Sequence, residues 1–169
     1  MSTIEVKFDD KEIKQMLNAI TVSLGGDMSG LMKNIGIYVV DETKKRFDDQ
    51  KDPDGQPWEP LKPETLKAKK TNKILIEQGK THGLQASINY TAAKQSVTIG
   101  ANKDYAAIHQ FGGVIKPRKK KALSWVGHGG KRFIAKNITI PARPYMGINK
   151  ENETVIMDII LAYMESKGV

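Results

Sequence analysis

The chain reads as an α+β protein: helices packed on one antiparallel β-sheet, with a long β-hairpin carrying a basic segment. Three observations predict this. Near both ends apolar residues recur at three- and four-residue spacing, the period of an amphipathic helix. In the middle, apolar and polar residues alternate around turn signals, the period of a strand. The order is helices, then strands with a short inserted helix, then a helix, which places helices against an antiparallel sheet.

Each element follows from local chemistry. Asp9 and Asp10 can cap a first helix whose apolar residues are Ile13, Met16, Leu17, Ile20 and Leu24, and Gly25-Gly26 ends it. Ser29 or Gly30 opens a second, with a stripe of Leu31, Ile35, Tyr38, Val39 and Phe47; its tail, Lys44-Lys45-Arg46, suits the negative end of the helix dipole. The nine residues from Asp52 to Pro60 contain three prolines and a glycine, which forbids regular structure. Trp58 is the expected anchor of that loop. Pro63 to Lys70 reads as a short helix with proline in its first turn.

Ser87 to Tyr90 and Ser96 to Ile99 alternate around a turn, giving a hairpin. Lys103 to Phe111 is a short helix closed by Gly112-Gly113. Strands are expected at Val114-Ile115, Leu123 to Val126 and Arg132 to Ile140, with Gly127-His-Gly-Gly130 as the turn between the last two. Asn152 or Glu153 begins a terminal helix with Val155, Ile156, Ile159, Ile160, Tyr163 and Met164 on its apolar face.

At 169 residues, 39% apolar and 27% charged, the chain suits one soluble domain, residues 1–169, with a basic β-hairpin excursion at about 114–140. No run approaches the roughly 20 apolar residues that cross a bilayer. The first ten residues show no basic stretch followed by an apolar one, and there is no cysteine. Intracellular synthesis is therefore expected, without disulfides or thiolate metal sites.

The charge is uneven. Between Tyr105 and Lys150 there is no Asp or Glu, yet there are ten Lys and Arg. Removing those ten from the 27 basic side chains leaves 17 against 19 acidic ones, a net −2. The formal +8 is one +10 segment on a nearly neutral body. Lys116, Arg118, Lys119, Lys120, Lys121, Lys131, Arg132 and Lys136 flow into apolar strand-like residues, so the fold would display them in one place, with Lys131 and Lys136 sharing a strand face. Such a surface fits a polyanion or an acidic protein face. Trp125 is expected in the core. Arg143 sits between Pro141 and Pro144 on a stiff backbone. It suits either a bidentate contact with a partner carboxylate or phosphate, or an ion pair within the chain.

Catalysis finds no support. His82, His109 and His128 are the only histidines, and none has a second ligand at metal spacing. His109, among Ala106, Ala107, Ile108 and Phe111, reads as a packing residue. No phosphate loop, nucleophile elbow or carboxylate pair is present, so neither enzyme activity nor a cofactor is expected.

Three blocks carry a resemblance: Asp52-Pro-Asp-Gly-Gln-Pro-Trp-Glu-Pro-Leu61, then Tyr105-Ala-Ala-Ile-His-Gln-Phe-Gly-Gly113, then Ile140-Pro-Ala-Arg-Pro-Tyr-Met-Gly147. In this order the chain resembles the phage virion morphogenesis (tail completion) family of Mu-like phages and prophages. The resemblance implies a non-enzymatic structural protein of the tail end or head–tail junction, assembling as a ring around the passage for DNA. Its implied partners are itself, other tail or neck proteins and DNA in transit, with no membrane; its implied place is the virion, after synthesis in the bacterial cytoplasm. Trp58, Tyr105, His109, Phe111, Gly112, Gly113, Pro141, Arg143, Pro144 and Tyr145 are its structural signature. A small basic nucleic-acid-binding accessory protein is the rival reading.

Overall fold

In the computed structural model the described residues are 15, 18, 21–22, 26–69, 71–76, 83–119 and 121–168. Most of the expected first helix, including Asp9, Asp10, Ile13, Met16, Leu17, Ile20 and Leu24, lies outside them. Helix α1 runs Ser29–Asp49 and is the spine of the molecule. Its sequence carries two apolar rows. Leu31, Met32, Ile35 and Val39 pack with Ile156 and Ile160 of the terminal helix, while Val40 and Phe47 join a second cluster with Trp58, Leu84, Ile88, Tyr145 and Met146. A short helix α2 follows at Pro63–Ala68.

The hairpin β1 (Ile88–Ala92) and β2 (Val97–Ala101) lies across α1, pairing Ile88 with Ala101 through Ala92 with Val97. Contact is close because Gly36 has no side chain: a Cβ there would stand 2.5 Å from the Tyr90 ring. Helix α3 (Ala106–Phe111) leads into β3 (Gly113–Ile115), β4 (Leu123–Val126), β5 (Arg132–Ala135) and β6 (Ile138–Ile140). Helix α4 (Lys150–Lys167) closes the chain against α1. It starts two residues before the earlier of the two expected positions. Asn149 and Asn152 form a reciprocal cap, each side chain accepting from the other's backbone N–H at 2.8 and 3.2 Å.

The architecture is α+β. In place of one sheet, the described strands form three two-stranded antiparallel ladders, β1–β2, β3–β6 and β4–β5. The last two are nested. β3 pairs with β6, and β4 pairs with β5 further out, so residues 113–140 make one long hairpin interrupted at its middle. The strand expected from Arg132 to Ile140 breaks at Lys136-Asn137 for this reason. Lys131 and Lys136 thus flank β5, and the shared strand face expected for them is not formed.

Candidate functional site

Two assemblies of residues meet in this fold: a buried polar node and the exposed ribbon that it carries. The node gathers all three sequence blocks. The loop after α1 is shaped by Asp52, whose Oδ1 accepts from the N–H groups of Asp54 (2.9 Å) and Gln56 (2.8 Å). This turns Trp58 inward, where it is 5% exposed, meets Phe47 edge-on at 5.4 Å and donates Nε1–H to the Pro144 carbonyl at 2.7 Å. Phe47 also touches Tyr145, with ring centres 5.1 Å apart.

The second block grips the third through its backbone. The Gln110 side chain acts as a surrogate peptide group. Its Oε1 accepts from Tyr145 N–H and Met146 N–H, both at 3.0 Å, and its Nε2 donates to Met146 O at 2.8 Å. Arg143 N–H donates to His109 O at 2.7 Å, and the Tyr145 hydroxyl to Ala106 O at 3.1 Å. Gly112 sits at φ +70°, ψ −178°, a region nearly reserved for glycine. A Cβ there would also meet Ala142 N at 2.8 Å. Burial pushes the Tyr145 phenol up to about 12, so it stays a neutral donor.

Two buried arginines complete the node, and neither uses a carboxylate. Arg46 is 4% exposed and donates to Tyr145 O (3.1 Å), Gly147 O (2.8 Å) and Asn152 Oδ1 (2.6 Å). Desolvation lowers its pKa, and the Glu42, Tyr38, Asp52 and Asp54 charges act the other way. Arg143 is 5% exposed and donates to Glu59 O (2.8 Å) and Pro60 O (3.2 Å). Among the described residues it forms no ion pair of the kind expected within the chain: its guanidinium pins the Trp58 loop through backbone carbonyls.

His109 lies half-buried beside Tyr105, their rings edge-to-face at 5.8 Å. Its pKa is lowered, first by burial and then by the Arg143 and Lys69 charges. The sign follows from linkage. The unfolded chain takes up the proton at its ordinary value of 6.5 while the folded chain resists it, so this stability is present above that pH and lost below it. We expect denaturant midpoints to fall between pH 7 and pH 5 (roughly spanning the ordinary histidine range), and the fall to shrink in His109→Gln. An undiminished acid loss in that variant would contradict this.

The ribbon is the opposite in character. Lys116, Arg118, Lys119, Lys121, Lys131, Arg132 and Lys136 are all exposed, and Lys120 lies outside the described residues. Trp125 is not in the core as expected. It is 41% exposed and stacks on its cross-strand partner Phe133 at 5.6 Å, with Lys131 Nζ 5.7 Å from the Phe133 ring. The reason is architectural: among the described residues no helix or further strand packs extensively on β4–β5, so Trp125 is left uncovered. On the other face the register sets Ser124 against Ile134 and Val126 against Arg132, and Arg132 Nε donates to Ser124 Oγ at 3.2 Å. Val126 is 68% and Ile134 70% exposed.

Of the signature residues, Trp58 and Tyr145 are buried, Gly112, Pro141 and Pro144 half-buried, and Gly113 exposed. Tyr105 and Phe111 are exposed, Phe111 at 67%, so Phe111 is not core packing. Gln110, Arg46 and Asn152 carry the node although sequence reasoning did not single them out. The one available signal was Gln110's place inside the second block. Among the described residues no group of His, Asp and Glu could hold a metal ion, and no helix is long and apolar enough to cross a membrane.

The chain thus combines an α+β body with a charged, partly apolar ribbon. The chain belongs to the phage virion morphogenesis family, whose pattern it matches over residues 8–165. It is 26% identical to Mu-like prophage FluMu G protein 1 of Haemophilus influenzae, over 93% of this chain and 92% of that protein. It is 32% identical to the putative capsid assembly protein G of Escherichia phage Mu, over 72% and 70% of the two chains. FluMu G protein 2 is 35% identical over 55% of this chain and 58% of its own. No solved structure matches.

Proposed function

We propose that the protein is a non-enzymatic virion component of the tail end or head–tail junction, acting as a homo-oligomeric ring, with the ribbon as its contact surface. Membership of a virion morphogenesis family supports a role in phage assembly. The phage Mu relative named as a putative capsid assembly protein points the same way. The observation that carries the proposal is the segregation within the chain. Residues 113–140 expose seven described cations and no carboxylate, while the three sequence blocks are spent on holding the body together. In this reading the ribbon meets an acidic subunit face or the DNA passing through the ring.

The test is to reverse Lys119, Lys120 and Lys121 to Glu together in the phage that encodes this chain. Lys119 and Lys121 are exposed, and exposed substitutions typically shift stability by only about 0.5 kcal/mol or less per site. Assembly of complete particles or retention of their DNA should be lost. Wild-type yield of DNA-filled particles would remove the contact role. The acid-free cationic surface also suits the nucleic-acid-binding rival. That rival predicts a monomer binding duplex DNA with a steep salt slope, about −0.9 per phosphate neutralised.

A further inference from the structure

We infer that the β4–β5 ribbon docks on a second copy of this chain, on the acidic surface formed where the Asp52 loop meets the start of α4. The inference rests on the ring reading and names the two surfaces that build it. Apolar exposure argues first for protein over DNA as the ribbon's partner. Six of the eleven large apolar residues exposed among the described residues fall between Phe111 and Ile134: Phe111, Val114, Ile115, Trp125, Val126 and Ile134. Phosphates gain nothing from Val126 and Ile134, whereas a protein face would bury them. A two-stranded ribbon is marginal alone in water and gains stability when one face is covered.

Charge complementarity then selects the partner. All 19 carboxylates of the chain lie outside residues 105–150. Several sit on segments that meet: Glu42 lies on α1, Asp52 and Asp54 in the loop after it and Glu151 in the first turn of α4, and Arg46 joins these segments by donating to Gly147 O and Asn152 Oδ1. Hydrogen bonds knit this surface together. Asn149 Nδ2 donates to Pro53 O at 2.7 Å, and Asn152 Nδ2 to Tyr38 Oη at 3.0 Å. Within one chain the two surfaces do not satisfy each other: among the described residues the ion pairs are Lys45–Glu42 and Lys51–Asp49, and neither involves the ribbon. Two different patches meeting between copies give a heterologous, head-to-tail contact, the kind that closes into a ring.

The natural absence of cysteine makes the test clean. The double variant Val126→Cys/Gln56→Cys, carried in assembled particles, is treated with a short bismaleimide. A ladder of covalent multimers of this chain is expected, absent in either single variant and lost when Lys131→Glu and Arg132→Glu are added. Ile134→Cys in place of Val126→Cys should give the same ladder. Cross-links from position 126 to a different virion protein would overturn the self-docking, as would multimers seen with lysine reagents but no cysteine ladder. Protection of the cysteine by DNA alone, with reactivity restored by nuclease, would overturn it in favour of nucleic acid. A single copy per particle would sink the ring reading itself, a result separate from the others.

Discussion

Replacing Tyr145 by alanine should lower the unfolding free energy by about 3 to 5 kcal/mol, the cost of emptying a fully buried aromatic site. The side chain is 0% exposed, packs on Phe47 and ties α3 to the third sequence block through its hydroxyl. Typical domains have only about 5–15 kcal/mol in hand, so this one change removes a large share. Tyr145→Phe separates packing from hydrogen bonding. It keeps the ring contacts and loses the bond to Ala106 O, a net change of about 0.5–1.5 kcal/mol. Urea or guanidinium unfolding of the three proteins measures both values. If alanine and phenylalanine cost the same, the ring contacts would carry little and the node would be wrongly described.

Local rules made most elements legible. The apolar periods of α1 and α4, the prolines around Trp58 and the glycine turn at residues 127–130 each depend on neighbours a few residues away, so spacing suffices to read them. The places where reading failed are non-local. Arg46 looked like a dipole-complementing residue at a helix end. Its actual partners, Tyr145 O and Gly147 O, are 99 and 101 residues distant, and nothing in the local pattern marks which carbonyls will converge on it. Arg143 was narrowed to a charged partner, yet backbone carbonyls of Glu59 and Pro60 take its place. Trp125 misled for a related reason. An aromatic residue in an alternating strand signals a core only if a second layer covers it, and coverage is a tertiary fact. The split of the strands into three ladders has the same origin. The basic surface could be located from composition because an acid-free window needs no partner to be seen.

The chain divides into a buried node that ties the three sequence blocks together and an exposed ribbon, the contact surface in the proposed function. Phe111 stands at the boundary, drawn from a signature block yet exposed at the ribbon's base. Its position suggests why that block ends in glycines: Gly112 and Gly113, both at positive φ, redirect the chain from α3 into β3.

The most direct test of that division places Val126→Asp and Ile134→Asp together on the outer ribbon face. Both side chains are at least 68% exposed in the chain described here. The division predicts that the unfolding free energy of the purified double variant stays within about 0.5 kcal/mol of wild type per site, while complete phage particles fail to form. A variant that melts early, or one that unfolds normally and still supports wild-type particle yield, would contradict it.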